Sequence, residues 1–123
     1  MKTAVIILGH GSRSKGAAGA IVKIASEVKK GGRYEIVEHA FLQYASPTIE
    51  DALRRCLRKK ADRIVIVPFF MQPGVHVTKD LPAFVVKAKK QHPEIDIRVT
   101  DYVGTHPLMT KIVEDLVKKQ SRP

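Results

Sequence analysis

Two histidines in this chain follow apolar runs directly or after a short loop. His10 lies in Gly9-His10-Gly11, and His76 lies in Gly74-Val75-His76. A neutral imidazole, titrating near ~6.5, can accept a proton or bind a borderline divalent ion through nitrogen. Two imidazoles brought to one ion would each ligate at about 2.0–2.2 Å. The loop of residues 9–16, Gly9-His10-Gly11-Ser12-Arg13-Ser14-Lys15-Gly16, could alternatively cradle an anion on its N–H groups. As a dinucleotide fingerprint it is poor, because Ser14 stands where the third glycine belongs. Glu38, near the end of the second apolar run, keeps a nucleotide reading open. Ser12 beside His10 is not in a G-x-S-x-G elbow, and no acidic third member is evident.

The other histidines and the cysteine read as structural. His39 sits inside a strand pattern, His92 precedes Pro93 in a polar turn, and His106 precedes Pro107 at a helix start, a capping or rim position. Cys56 falls on an apolar helical stripe and reads as core.

These residues need elements to hold them. Four short runs rich in Val and Ile, at residues 3–8, 34–42, 63–70 and 95–102, suit strands. The first and third are nearly continuous, as for central strands covered on both faces. The second and fourth are broken by Glu35, Glu38, Asp96 and Arg98, as for edges. Helical periodicity fills the gaps. It covers residues 14–30, a segment opened by Ser46 as cap and Pro47 as first helical residue, residues 78–91, and a last helix from Pro107 that buries Leu108, Ile112 and Leu116. Pro82 is tolerable there only near its helix's start.

Strict alternation of strand and helix predicts an α/β fold. It is a flavodoxin-like four-stranded parallel sheet in the order 2-1-3-4, helices on both faces, forming one domain over residues 1–123. Ligands of such sheets bind beyond the strands' C-terminal ends, where the order reverses. That point lies between the first and third strands, where His10 and His76 leave. The exit of the second strand, Gln43-Tyr44-Ala45-Ser46, flanks the same mouth.

Composition narrows the partners. Of 123 residues, 22 are Lys or Arg and 12 are Asp or Glu, a net charge of +10 that favours a polyanionic partner. Aromatics are only 6% and no RRM, KH or helix-turn-helix pattern occurs, so nucleic acid is not expected. No stretch approaches a membrane span, the apolar run at residues 4–8 is too short for a secretory signal, and one cysteine excludes an internal disulfide. The expectation is a cytoplasmic protein away from membranes.

The runs LGHGSR at residues 8–13, AFLQYASPTIEDAL at 40–53 and VPFFMQPGVHVTKDLP at 67–82, with Gly104-Thr105-His106-Pro107, resemble the short sirohydrochlorin cobaltochelatases of CbiX type. The resemblance spans nearly the whole chain, with four motifs in order. It implies a class II chelatase half-lobe with no prosthetic group, and insertion of Co²⁺ into sirohydrochlorin toward cobalamin. Ni²⁺ and Fe²⁺ are the alternative substrate metals. It implies that His10 binds metal and accepts a pyrrole proton, and that His76 is the second metal-binding histidine. Ser12, Arg13, Gln43, Tyr44, Ala45, Met71, Gln72, Pro73, Gly74 and Val75 would line the macrocycle site. It also implies a homodimer, since longer relatives join two such halves. Many of those relatives carry glutamate where this chain has Gln43, an amide that takes no proton at neutral pH. Asp80 and Glu38 are candidates to supply the missing charge. A metal or tetrapyrrole carrier without turnover is the other class left open.

Overall fold

The computed structural model describes residues 1–11, 18–72 and 74–121, with the backbone alone at 75–77. The elements run β1 (Thr3–Gly9), α1 (Gly19–Lys30), β2 (Ile36–Phe41), α2 (Ile49–Arg58), β3 (Arg63–Pro68), α3 (Val75–Gln91), β4 (Asp96–Val99) and α4 (Leu108–Gln120), with a 3-10 turn at Val103–Thr105. The strands are parallel in the order β2-β1-β3-β4, as the alternation predicted. One row across the sheet reads Ile36, Ala4, Ile64, Ile97, and all four are buried.

That row belongs to the face covered by α2 and α3. Ile6, Leu8 and Ile66 continue it, packed against Leu53, Cys56, Leu81 and Ala88. On the opposite face Val5, Ile7, Val37 and Phe41 pack against Ile21 and Ala25 of α1. Right-handed crossovers require this distribution: the step from β1 to β2 runs one way across the sheet and the next two steps run the other.

Four expectations are corrected. Central strand β3 is covered on one face only. Ile64 and Ile66 are fully buried, whereas Val65, Val67 and Phe69 are half-buried at the margin of the cluster that α1 forms over β1 and β2 among the described residues. The last helix, α4, expected to bury Leu108, Ile112 and Leu116, buries none of its residues. Leu108, Ile112 and Leu116 are 55%, 48% and 58% exposed.

Helix α2 starts two residues later than Pro47. Thr48 is the cap: its hydroxyl accepts from the Asp51 N–H at 3.1 Å, while the Asp51 carboxylate accepts from the Thr48 N–H at 3.0 Å. Ser46 and Pro47, joined by a cis peptide, still serve the sheet, since the Phe41 N–H donates to the Pro47 carbonyl at 2.9 Å. Helix α3 starts at Val75, before Thr78, so Pro82 lies two turns in rather than in the first turn and supplies no N–H to the ladder there. In the first helical segment, residues 12–17 lie outside the described residues. Among the described residues no helix is long and apolar enough to cross a membrane.

Candidate functional site

β1 delivers His10 directly to the C-terminal edge of the sheet, and the imidazole is exposed there. Two neighbours hold it. The Phe70 ring, at the exit of β3, meets the imidazole edge-on with centroids 5.9 Å apart. Phe70 is itself buried, with its ring 6.1 Å from that of Tyr102. On the other side, Gln43 at the exit of β2 places its side-chain nitrogen 3.3 Å from His10 Nδ1. The Gln43 N–H also donates to the His10 carbonyl at 3.2 Å, and the Leu42 N–H donates to the Gly9 carbonyl at 3.1 Å. Nδ1 is thus turned toward the protein and Nε2 is the outward nitrogen.

Two glycines make the packing of these loops possible. Gly11 has φ +99°, and a Cβ there would fall 1.7 Å from the Gln43 carbonyl oxygen. Any side chain would push the second loop off the first. Gly104 stands in the same relation to the third loop, where a Cβ would lie 2.1 Å from the Met71 carbonyl oxygen. Its N–H donates to the Phe70 carbonyl at 2.9 Å. Tyr44, more than half exposed, carries φ 60°, a left-handed backbone uncommon for a bulky residue and often found at working sites.

The sheet therefore assembles His10, Gln43, Tyr44, Ala45, Met71, Gln72 and Gly74 along its C-terminal edge. Ser12, Arg13 and Pro73 lie outside the described residues, as do the side chains of Val75 and His76. What the backbone adds is that His76 occupies the second position of α3, whose N-cap is Gly74. A first turn capped by glycine leaves its N–H groups directed at the mouth, and the helix dipole places positive potential there, suited to carboxylates. Among the described residues no three His, Cys, Asp or Glu side chains form a metal cage.

The direct contact of Gln43 with His10 is the functional feature that sequence reasoning missed. Gly11 was its only signal, through the positive φ and close approach that glycine permits. Glu38 does not serve this mouth. It lies level with Ile6 in the sheet, four residues short of His10, or roughly 13 Å back along the strand. There it is 9% exposed and accepts from Lys59 at 2.9 Å, with Arg55 at 3.5 Å. Asp80 is exposed on α3, six residues beyond the glycine cap. His106 caps α4, its Nδ1 accepting from the Leu108 N–H at 3.0 Å. His39 packs edge-on against Phe41, and Cys56 is fully buried. His92, expected in solvent, is only half-exposed and ends α3, its N–H donating to Ala88.

A family model described as CbiX matches residues 4–120. A chloroplastic sirohydrochlorin ferrochelatase of Arabidopsis thaliana is 33% identical over 93% of this chain and 51% of its own length. A sirohydrochlorin cobaltochelatase of Priestia megaterium is 34% identical over 92% of this chain and 37% of its own. The solved structure of SirB from Bacillus subtilis with Fe³⁺ superposes on the whole chain with a TM-score of 0.87 at 28% identity, and the match covers 49% of SirB. The chain thus spans about half the length, or less, of these relatives.

Proposed function

The chain belongs to the CbiX family, and from that premise we propose that it inserts a divalent metal, Co²⁺, into sirohydrochlorin, with His10 as metal ligand and proton acceptor. The observation that carries the reading is the imidazole of His10, exposed at the sheet's reversal point with Nδ1 turned to Gln43 and Nε2 outward.

Insertion removes two pyrrole protons and strips the ion of water. The outward Nε2 offers one lone pair that serves both tasks in turn. It holds the ion while water leaves. Once the ion passes to the ring nitrogens, the same lone pair takes one ring proton, and the other leaves to solvent water. For this, Nδ1 must carry the hydrogen. Gln43 meets that demand by a half-turn of its amide, so that the carbonyl oxygen accepts from Nδ1–H. A carboxylate at this position would accept the same bond and hold the imidazolium more strongly.

His76, two residues past the glycine cap of α3, supplies the second nitrogen. The N–H groups of that first turn and the net charge of +10 suit a polyacidic macrocycle. Ser12, Arg13, Pro73 and Val75 join Gln43, Tyr44, Ala45, Met71, Gln72 and Gly74 as its lining. A second copy of the chain closes the cleft over it.

The test is a competition in anaerobic buffer. Purified protein receives sirohydrochlorin and equimolar Co²⁺, Ni²⁺ and Fe²⁺, and products are identified by mass and by the absorption shift of the macrocycle. Co-sirohydrochlorin is expected to dominate. Because nitrogen ligands alone do not rank these ions in a cell, an iron or nickel product would reassign the metal and leave the chelatase reading standing. That reading is supported on the iron side by the ferrochelatase relative. His10→Ala is expected to lose at least ~100-fold in rate with unchanged circular dichroism, general acid–base catalysis alone contributing about that much. Near-normal insertion by that variant would remove His10 from the mechanism.

A further inference from the structure

His10 is exposed, and an exposed imidazole at a strand exit can turn about both of its side-chain bonds. Metal insertion asks one of its nitrogens to stand still. Gln43 is a soft restraint, since its own side chain has three rotatable bonds and its amide reaches Nδ1 at 3.3 Å. Phe70 is a hard one. It is 7% exposed and packs in the core cluster with Leu8, Ile66 and Leu81, where a ring has no room to swing. The imidazole meets that ring with centroids 5.9 Å apart and planes at 79°, the edge-on geometry that aromatic pairs prefer. With one ring fixed by burial and the other exposed, the contact orients His10.

Phe70 is held in turn by a segment from the far side of the sheet. The Phe69 N–H donates to the Leu8 carbonyl at 2.7 Å, and the Phe70 carbonyl accepts from the Gly104 N–H at 2.9 Å. Tyr102 sets its ring 6.1 Å from that of Phe70. The turn carrying Tyr102 and Gly104 is closed by its own bonds. The Thr100 N–H donates to Ile66 at 3.0 Å, and the Thr105 N–H and hydroxyl donate to the Tyr102 carbonyl at 3.0 and 2.8 Å. Gly104 rests on the Met71 backbone, so the turn sits directly on the exit of β3. The insertion chemistry above uses no group from Gly104-Thr105-His106-Pro107, and holding this turn gives the run a task.

We propose that Phe70 is the positioning residue of His10: its buried ring holds the imidazole with Nε2 outward, and the turn from Tyr102 to Thr105 is the buttress that keeps Phe70 in place. The inference rests on the role given to His10 above and deepens it. Two demands on the mouth are thereby separated. Exposed Tyr44 and Met71 face the macrocycle, while Phe70, behind them, governs the nitrogen that handles the ion and the proton. Loss of its ring should slow insertion without loosening the macrocycle.

The test uses the full chain and Phe70→Leu, which stays apolar and removes the ring. In steady-state insertion into sirohydrochlorin, kcat is expected to fall about 10-fold while KM for the macrocycle stays within about 2-fold. A raised KM at unchanged kcat would make Phe70 part of the macrocycle wall and overturn the proposal. A double-mutant cycle separates positioning from a general loss of structure. If Phe70 acts through His10, adding Phe70→Leu to His10→Ala costs no more than about 2-fold further, whereas a second loss of about 10-fold would overturn the assignment. A third readout needs no turnover. In the metal-free protein with labelled histidine, the Hα–Hβ couplings of His10 should report one rotamer in the wild type and averaged rotamers in Phe70→Leu. Unchanged couplings would refute the restraint. Wild type that inserts none of Co²⁺, Ni²⁺ and Fe²⁺ would sink the chelatase reading, and the couplings would still decide whether Phe70 holds His10. Tyr102→Leu should move kcat and the couplings the same way by less, about 3-fold in kcat, and it carries the test should Phe70→Leu not fold. No change in Tyr102→Leu would overturn the buttress.

Discussion

Helices α2 and α4 are built to one recipe and meet different ends. Each carries an apolar stripe and a strongly polar back. Helix α2 buries Ile49, Ala52, Leu53 and Cys56, and is closed at its start by the reciprocal bonds of Thr48 and Asp51. Helix α4 has its start capped by a single histidine ring and buries nothing. The pattern in a sequence announces that a helix will be covered. It does not say by which chain.

Five measurements sharpen or break this contrast. The largest effect is expected at Cys56. Burial, followed by the nearby Glu38, pushes its thiol up to about 12. At pH 8 a thiol reagent should label it only through unfolding, at least ~10³-fold more slowly than in denaturant. Rapid labelling of the native chain would mean that α2 is as loosely held as α4. Next, Leu53→Ala should cost about 2–5 kcal/mol in denaturant melts, because Leu53 is 6% exposed and its loss leaves a cavity. Thr48→Ala should cost about 1 kcal/mol through loss of the cap.

The same cap carries a pH signature. The Asp51 carboxyl is held below its ordinary 3.8, chiefly by the backbone N–H of Thr48, then by the Thr48 hydroxyl. A carboxyl lowered on folding stabilises above its unfolded value and loses that contribution as pH falls through the folded one. The difference between wild type and Thr48→Ala in acid titrations monitored by circular dichroism should therefore narrow only below about pH 3.8. The smallest effect belongs to Leu116→Ala. In dilute solution, where single copies prevail, it should shift stability by no more than ~0.5 kcal/mol. A loss like that of Leu53 would show α4 to be packed within one chain and would erase the contrast.

The sheet order was legible because strand and helix alternate strictly and because right-handed crossovers leave few arrangements. The mouth was legible in outline for the same reason, since His10 ends one central strand and His76 follows another. Register and capping were less so. Ser46 and Pro47 have the residue types of a helix start. They lose to Thr48 because Phe41 engages the Pro47 carbonyl and extends the sheet by one more contact. The bond between Gln43 and His10 was invisible, as it joins residues thirty-three apart through a turn geometry that only Gly11 betrays. The continuous apolar character of β3 suggested cover on both faces, but Val65, Val67 and Phe69 are only half-buried. One chain supplies cover on only one.

Pairing within the sheet sets a tolerance. His10 follows Gly9 on β1, and α3 begins seven residues past Pro68 on β3, so the hydrogen bonds between these strands set how far apart the two exits stand. Sliding one strand by a single residue would displace His10 by about 3.3 Å and turn its ring to the other side. A metal–nitrogen bond at the proposed site would forgive only about 0.2 Å. The ruler that spaces this mouth is thus the ladder from Thr3 to Leu8, and accuracy at the proposed centre is decided in the dry interior, well away from it.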